Sequence, residues 1–258
     1  MKIKSNFYRT IIIIITFLIG MYGENMLYKL FDIKLILSNP ALDIAYFYIW
    51  WIIPVLVSIW LIYGVKNFFK ELGLYKSIYK GLLWASVMVS PMFIGSFFTG
   101  KLVSNLSFLN ILHGAILAGL LEEIFFRGFL FGQLFRKLKW GFIPAVALNA
   151  VIFAFGHIYQ GNTMNESTGV FMVTFFGAAW FAWLYIEWNN NLWIPIFLHT
   201  LMNLSWMIFN VSENAIGGMS ANIFRLSTII LSVIITIIYK KRNGGLSINR
   251  KNLFINRS

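Results

Sequence analysis

A chain of 258 residues that is 59% hydrophobic, 18% aromatic and only 12% charged, with a mean hydropathy of +0.74, matches no soluble globular composition and takes the bilayer as its solvent. It contains no cysteine, which excludes disulfides, thiol catalysis and thiolate metal sites. The net charge of +12 sits in short clusters between apolar runs, as topology signals do, so no nucleic-acid partner is expected.

Apolar runs near the roughly 20 residues needed to span a bilayer fall at about 10–28, 41–64, 81–100, 108–135, 142–158, 169–188, 192–211 and 222–239. Each is continuously apolar, whereas barrel strands alternate. The fold expected is therefore all-α: a polytopic membrane protein of about eight transmembrane helices in one bundle, a single domain over 1–258. No small-residue cleavage site of the A-x-A type follows the first run, which reads as a retained helix. The segment 66–80, KNFFKELGLYKSIYK, mixes lysines with Phe68, Phe69, Leu72, Leu74 and Tyr75 and suits an interfacial helix. Pro144 and Pro195 suit first turns of helices, whereas Pro54 and Pro91 fall inside theirs.

If the spans alternate, basic residues mark one side. Lys2, Lys4 and Arg9, then Lys66, Lys70, Lys76 and Lys80, then Arg136, Lys137 and Lys139, and finally Lys240, Lys241, Arg242, Arg250, Lys251 and Arg257 make sixteen of the 21 basic residues. Lys29, Lys34 and Lys101 take the other side, and Arg127 and Arg225 lie inside spans. Both termini are expected in the cytoplasm.

The fourth run carries GLLEEIFFRGFLFGQL, with two glutamates and an arginine in lipid-like surroundings. One ionisable residue at the centre of a lone helix costs on the order of 3 kcal/mol on insertion scales, so these three must face protein or water. Glu123 and Arg127 are four apart and can pair, while Glu122 points about 100° away. One carboxylate is left over. Polar residues on two other helices supply company. Phe153 and His157 are four apart on the fifth span, with Asn149 one turn earlier, and His199 and Asn203 are four apart on the seventh. Glu122 and His157 are equally far from the turn at Lys139 and Trp140, which puts them level, while His199 looks shallower than His157 by about 10 Å at 1.5 Å per residue. Gly114 with Ala118, Ala115 with Gly119, and Gly128 with Gly132 allow close helix approach.

Glu122-Glu123-x-x-x-Arg127, Phe153-x-x-x-His157 and His199-x-x-x-Asn203 resemble the three motifs of the CAAX protease and bacteriocin-processing family, intramembrane endopeptidases that include the type II CAAX prenyl endopeptidases. The resemblance covers about 112–203, and the eight-helix layout extends it. It implies a membrane-embedded peptide hydrolase of glutamate type, in which Glu122 and His157 activate a water and His199 and Asn203 stabilise the oxyanion. Glu123, Arg127 and Phe153 then support the site. Amide hydrolysis independently needs a base for water and donors for developing negative charge. The implied substrate is a membrane-associated peptide or protein, the implied location the bacterial plasma membrane, and no cofactor is expected.

Three other readings use the same residues. A zinc-dependent version of the protease takes Glu122, His157 and His199 as ligands, a two-histidine, one-carboxylate set, although no H-E-x-x-H is present. A non-enzymatic immunity or scaffold protein uses the motifs only to hold its helices together. A proton-coupled transporter uses the carboxylates as a relay, but the sequence shows no inverted repeat.

Overall fold

The computed structural model describes residues 5–31, 39–212 and 214–256; Lys2, Lys4, Lys34 and Arg257 of the topology reading lie outside them. The described elements are helical: α1 (Asn6–Phe31), α2 (Pro40–Tyr63), a short α3 (Phe68–Leu72), α4 (Ile78–Thr99), α5 (Phe108–Lys137), α6 (Phe142–Phe155), α7 (Met164–Glu187), α8 (Trp193–Ile208) and α9 (Met219–Arg242). Local sequence accounts for the starts. The Asn39 side chain accepts from the Ala41 amide with Pro40 opening α2, Ser77 caps α4, Ser107 caps α5, and Thr163 caps α7 while Glu166 reaches back to the Asn162 amide.

Seven of these helices, α6 being counted with the short turn that carries it on to Gln160, are long and apolar enough to cross a membrane, and the protein is an integral multi-pass membrane protein. The seventh expected span, at 192–211, is α8 and has only 16 residues. Its first turn is tucked into the bundle: the Leu192 amide donates to the Gly73 carbonyl and the Trp193 indole to the Leu74 carbonyl. Starting inside the protein rather than at the interface, it needs fewer residues. The segment 66–80 is likewise drawn inward, with Glu71, Leu72 and Leu74 buried. Gln133 and Arg136 donate to the Glu71 carbonyl at 2.9 and 3.0 Å, Tyr185 donates to that of Leu72 at 3.2 Å, and Lys137 pairs with the Glu71 carboxylate at 2.7 Å. Phe69 and Tyr75 still face outward.

α5 stands at the centre, touching α1, α2, α6, α7 and α8, while α4 packs on α8 and α9. The α5 section Leu112–Phe131 is wound in the wide turns of a π-helix. Phe17 and Trp51 stack on Phe125 at 4.4 and 4.8 Å, fastening α1 and α2 to it. After α9 the tail folds back across one end. The first amides of α6, at Phe142 and Ile143, donate to the carbonyls of Asn252 and Leu253, both at 2.8 Å, and Asn256 donates to the Phe135 carbonyl. Gly141 permits this crossing, because a side chain there would collide with the Phe254 backbone.

Candidate active site

Glu122, Glu123 and Arg127 lie near the middle of α5. Glu123 and Arg127 are fully buried, and the guanidinium approaches Glu123 Oε1 at 3.1 Å. That approach is close enough for charge attraction but off-line for a hydrogen bond, so among the described residues all three guanidinium nitrogens lack a hydrogen-bonding partner. Aromatic faces surround them instead. The guanidinium carbon is 4.3 Å from the Phe153 ring centre and 5.6 Å from that of Phe181, distances at which a desolvated cation–π contact contributes about 2 kcal/mol.

The same Glu123 oxygen accepts from His199 Nδ1 at 2.9 Å. One carboxylate atom therefore ties the first motif to the third. The apparent shallowness of His199 disappears because α8 begins inside the bundle, bringing its second turn level with the middle of α5. Gly119 sets how closely the helices approach: a β-carbon there would collide with Thr200, the neighbour of His199. One turn further along α8, the Asn203 amide donates to the Gly114 carbonyl at 2.9 Å, so the third motif is pinned to α5 at two points.

The second motif reaches the cluster through Phe153, whose ring centre is 4.3 Å from that of His157 and which also covers Arg127. His157 lies just past the last turn of α6, with Nδ1 2.7 Å from the Phe153 carbonyl. A carbonyl can only accept, so Nδ1 carries a hydrogen, and in the neutral ring Nε2 is the nitrogen free to accept. His199 differs, since its Nδ1 meets a carboxylate. Glu122 is half-buried, and among the described residues its Oε2 has no hydrogen-bonding partner. Among the described residues no hydrogen bond joins Glu122 to His157. The structure brings Glu123, Arg127, Phe153, His157 and His199 into one connected set, with Asn203 beside it and Glu122 next in sequence.

Several neighbours had no signal in the sequence. Phe181 of α7 lies 5.5 Å from the His199 ring and looks in sequence like any other core aromatic. Tyr48 of α2 is buried, packs edge-on to His113, and has Glu122 and Tyr159 within electrostatic reach of its hydroxyl. Asn149, which the helical spacing had placed on the face of Phe153, is fully buried with neither amide atom bonded. Among the described residues no three His, Asp or Glu side chains are grouped to share a metal ion, so the set Glu122, His157 and His199 does not form a ligand cage as it stands.

Residues 103–205 match the family model "Type II CAAX prenyl endopeptidase Rce1-like". Two curated bacterial proteins are similar. The membrane-embedded CAAX protease MroQ of Staphylococcus aureus (strain USA300) is 33% identical over 101 residues, 38% of this chain and 37% of that protein. YdiL of Bacillus subtilis (strain 168), provisionally named a membrane peptidase, is 34% identical over 95 residues, 37% of this chain and 34% of its own. The match thus spans about a third of the length of either relative. No solved structure matches the chain.

Proposed function

The chain belongs to the CAAX protease and bacteriocin-processing family, and from that premise we propose that it is an intramembrane endopeptidase that hydrolyses a peptide bond in a membrane-associated protein or peptide. The observation that carries the reading is the meeting of three sequence-distant motifs around the Glu123–Arg127 pair: Glu123 holds Arg127 and His199 through one oxygen, Phe153 of the second motif covers Arg127, and Glu122, whose Oε2 has no hydrogen-bonding partner among the described residues, stands beside them.

Glu122 and His157 activate the water. His157 suits the task because its Nδ1–H is committed to a carbonyl, leaving a basic Nε2 to take a proton. His199 and Asn203 hold the oxyanion. With Nδ1–H given to Glu123, the His199 ring can carry a second proton at Nε2 and donate it to the developing charge, and Asn203 keeps one amide hydrogen beyond the one given to Gly114. Glu123 and Arg127 fix this geometry, and the aromatic rings of Phe153 and Phe181 exclude water, which strengthens each interaction.

A zinc-dependent version uses the same histidines, and a carboxylate on Nδ1 is also what orients a metal-binding imidazole. The reaction proposed here runs without metal. The deciding experiment is proteolysis in reconstituted membranes with candidate substrates, comparing the parent with Glu122→Ala, with and without a strong chelator, alongside metal analysis of the parent and His199→Ala. Chelator-resistant cleavage lost in Glu122→Ala is the expected result. Stoichiometric zinc that disappears in His199→Ala, with chelator-sensitive cleavage, would overturn the oxyanion role of His199. Equal cleavage by parent and Glu122→Ala would leave a scaffold or immunity role.

Orientation belongs to the same reading. The 66–80 segment, the end of α5 and the tail gather at one end through Lys137–Glu71 and the bond from Asn256 to Lys139, and the basic excess there supports placing that end and both termini in the cytoplasm. Reporter fusions to the tail that score outside the cytoplasm reverse the assignment.

A further inference from the structure

The end of the bundle that gathers the basic clusters holds a cleft of about 460 Å³ that the proposed hydrolysis does not use. This volume lies within the usual range of small-ligand sites. Lys76, Arg136 and Lys137 bring cations to its wall, and Asn189, Asn190 and Ser247 bring amides and a hydroxyl; among the described residues no carboxylate lines it. The nearby acids are already occupied. Glu71 pairs with Lys137 at 2.7 Å. Glu187, fully buried, accepts from the Ser247 and Ile248 amides at 2.8 and 2.9 Å and lies 3.7 Å from Lys240. Lys137 is thus balanced, whereas among the described residues no carboxylate pairs with Lys76 or Arg136.

Two features make this more than a charged surface. The Arg136 guanidinium is fixed in place by the Glu71 carbonyl and the Tyr185 hydroxyl, both neutral oxygens, so it is ordered before any anion arrives and little entropy is lost on binding. Around the same end, Phe69, Tyr75, Tyr79, Phe254 and Ile255 are exposed, the aromatic and apolar fringe that seats a protein at headgroup depth. That fringe is the ground for setting the mouth of the cleft at headgroup depth.

We propose that this cleft binds a phosphate group, offered either by an anionic lipid headgroup or by free inorganic phosphate. A guanidinium fork and an ammonium held among amide donors match phosphate oxygens in both charge and geometry, and basic pockets between membrane helices recognise headgroups on these grounds.

The test uses the full chain. Lipid retention is read by native mass spectrometry after extraction from vesicles of phosphatidylglycerol mixed with phosphatidylcholine, and phosphate binding by equilibrium dialysis with labelled inorganic phosphate. The variants are Lys76→Gln, Arg136→Gln and, as a control at the opposite end, Lys101→Gln, each checked for parent-like thermal unfolding. Lys76→Gln keeps the assay interpretable if Arg136→Gln fails to fold, since among the described residues Lys76 makes no hydrogen bond or ion pair and lies over the ring of its own neighbour Tyr75. The expected result is selective retention of phosphatidylglycerol, competed by inorganic phosphate and weakened about five-fold in Lys76→Gln, the change that about 1 kcal/mol per basic residue at an anionic surface corresponds to. Lys101→Gln should bind as the parent does. Saturable phosphate binding without lipid preference, also weakened in Lys76→Gln, identifies the soluble source. Binding of neither probe by the parent, or equal binding by parent and Lys76→Gln, overturns the proposal.

Discussion

α5 and α9 both bury polar side chains within the membrane, and they treat them in opposite ways. α9 is inside out: Leu226, Ile230, Ile234 and Ile238 face outward, whereas Thr228, Ser232, Thr236 and Lys240 face the protein. Most of the inward row has a partner. The Trp180 indole donates to Ser232 and that of Trp188 to Thr236, both at 3.0 Å, and Lys240 donates to Ser247 at 2.8 Å; the Thr228 hydroxyl alone lacks one. Around α5 the balance reverses. Glu122, Glu123, Arg127 and Asn149 account for seven of the 13 buried side-chain polar atoms without a hydrogen-bonding partner among the described residues. A membrane helix that buries polar groups for cohesion satisfies them. One that leaves hydrogen-bonding atoms of charged groups without partners, even where the charges pair as Glu123 and Arg127 do, carries a cost that packing alone gives no reason to retain.

If that contrast separates function from cohesion, the largest effects belong to α5 and its partners. Glu122→Gln and His157→Ala should each lower cleavage in reconstituted membranes by about 10²- to 10⁴-fold, the range for losing a general acid–base group, while membrane insertion and thermal unfolding stay like the parent. A parallel loss of folded protein in Glu122→Gln would assign that residue to cohesion and erase the contrast. Arg127→Ala should act on the fold as well, because it strands buried Glu123; breaking such a pair costs about 3–5 kcal/mol, readable as a lower unfolding temperature and reduced yield. Asn203→Ala should reduce turnover by about 10²- to 10³-fold, as expected for one oxyanion donor, with measurable residual activity. The smallest effect belongs to α9. Ser232→Ala, which removes the acceptor for Trp180, should cost about 0.6 kcal/mol, the typical strength of an interhelical hydrogen bond in a membrane, and leave turnover unchanged. A turnover loss there as large as in Asn203→Ala would show that the α9 polar row also serves the chemistry.

Much of this was legible in the sequence for a physical reason: apolar length sets spans, and charges in a span demand partners. The runs at 41–64 and 108–135 correspond to α2 and α5 within two residues at either end, and the pairing of Glu123 with Arg127 follows from helical spacing alone. Two kinds of information were missing. The depth of His199 depends on the first turn of α8 being held against Gly73 and Leu74, by tertiary hydrogen bonds invisible to hydropathy. The covering rings, Phe181 above all, come from a helix outside the motifs, and an aromatic residue among 26 phenylalanines carries no positional signal.

The tail that crosses the bundle end bears on the order of assembly. α6 has no side-chain cap at its amino end; its first amides are met by carbonyls of residues 252 and 253, about 110 positions later in the chain. Translation proceeds from the amino end, so α1 to α8 emerge while those amides still lack these acceptors. The helix that presents His157 thus acquires its fixed start among the last events of biogenesis, after every motif is already in the membrane. On the proposed function, a nascent chain halted before residue 246 should hold all three motifs yet cleave more slowly than the released protein, and equal cleavage by the two would show that the late cap has no bearing on the site.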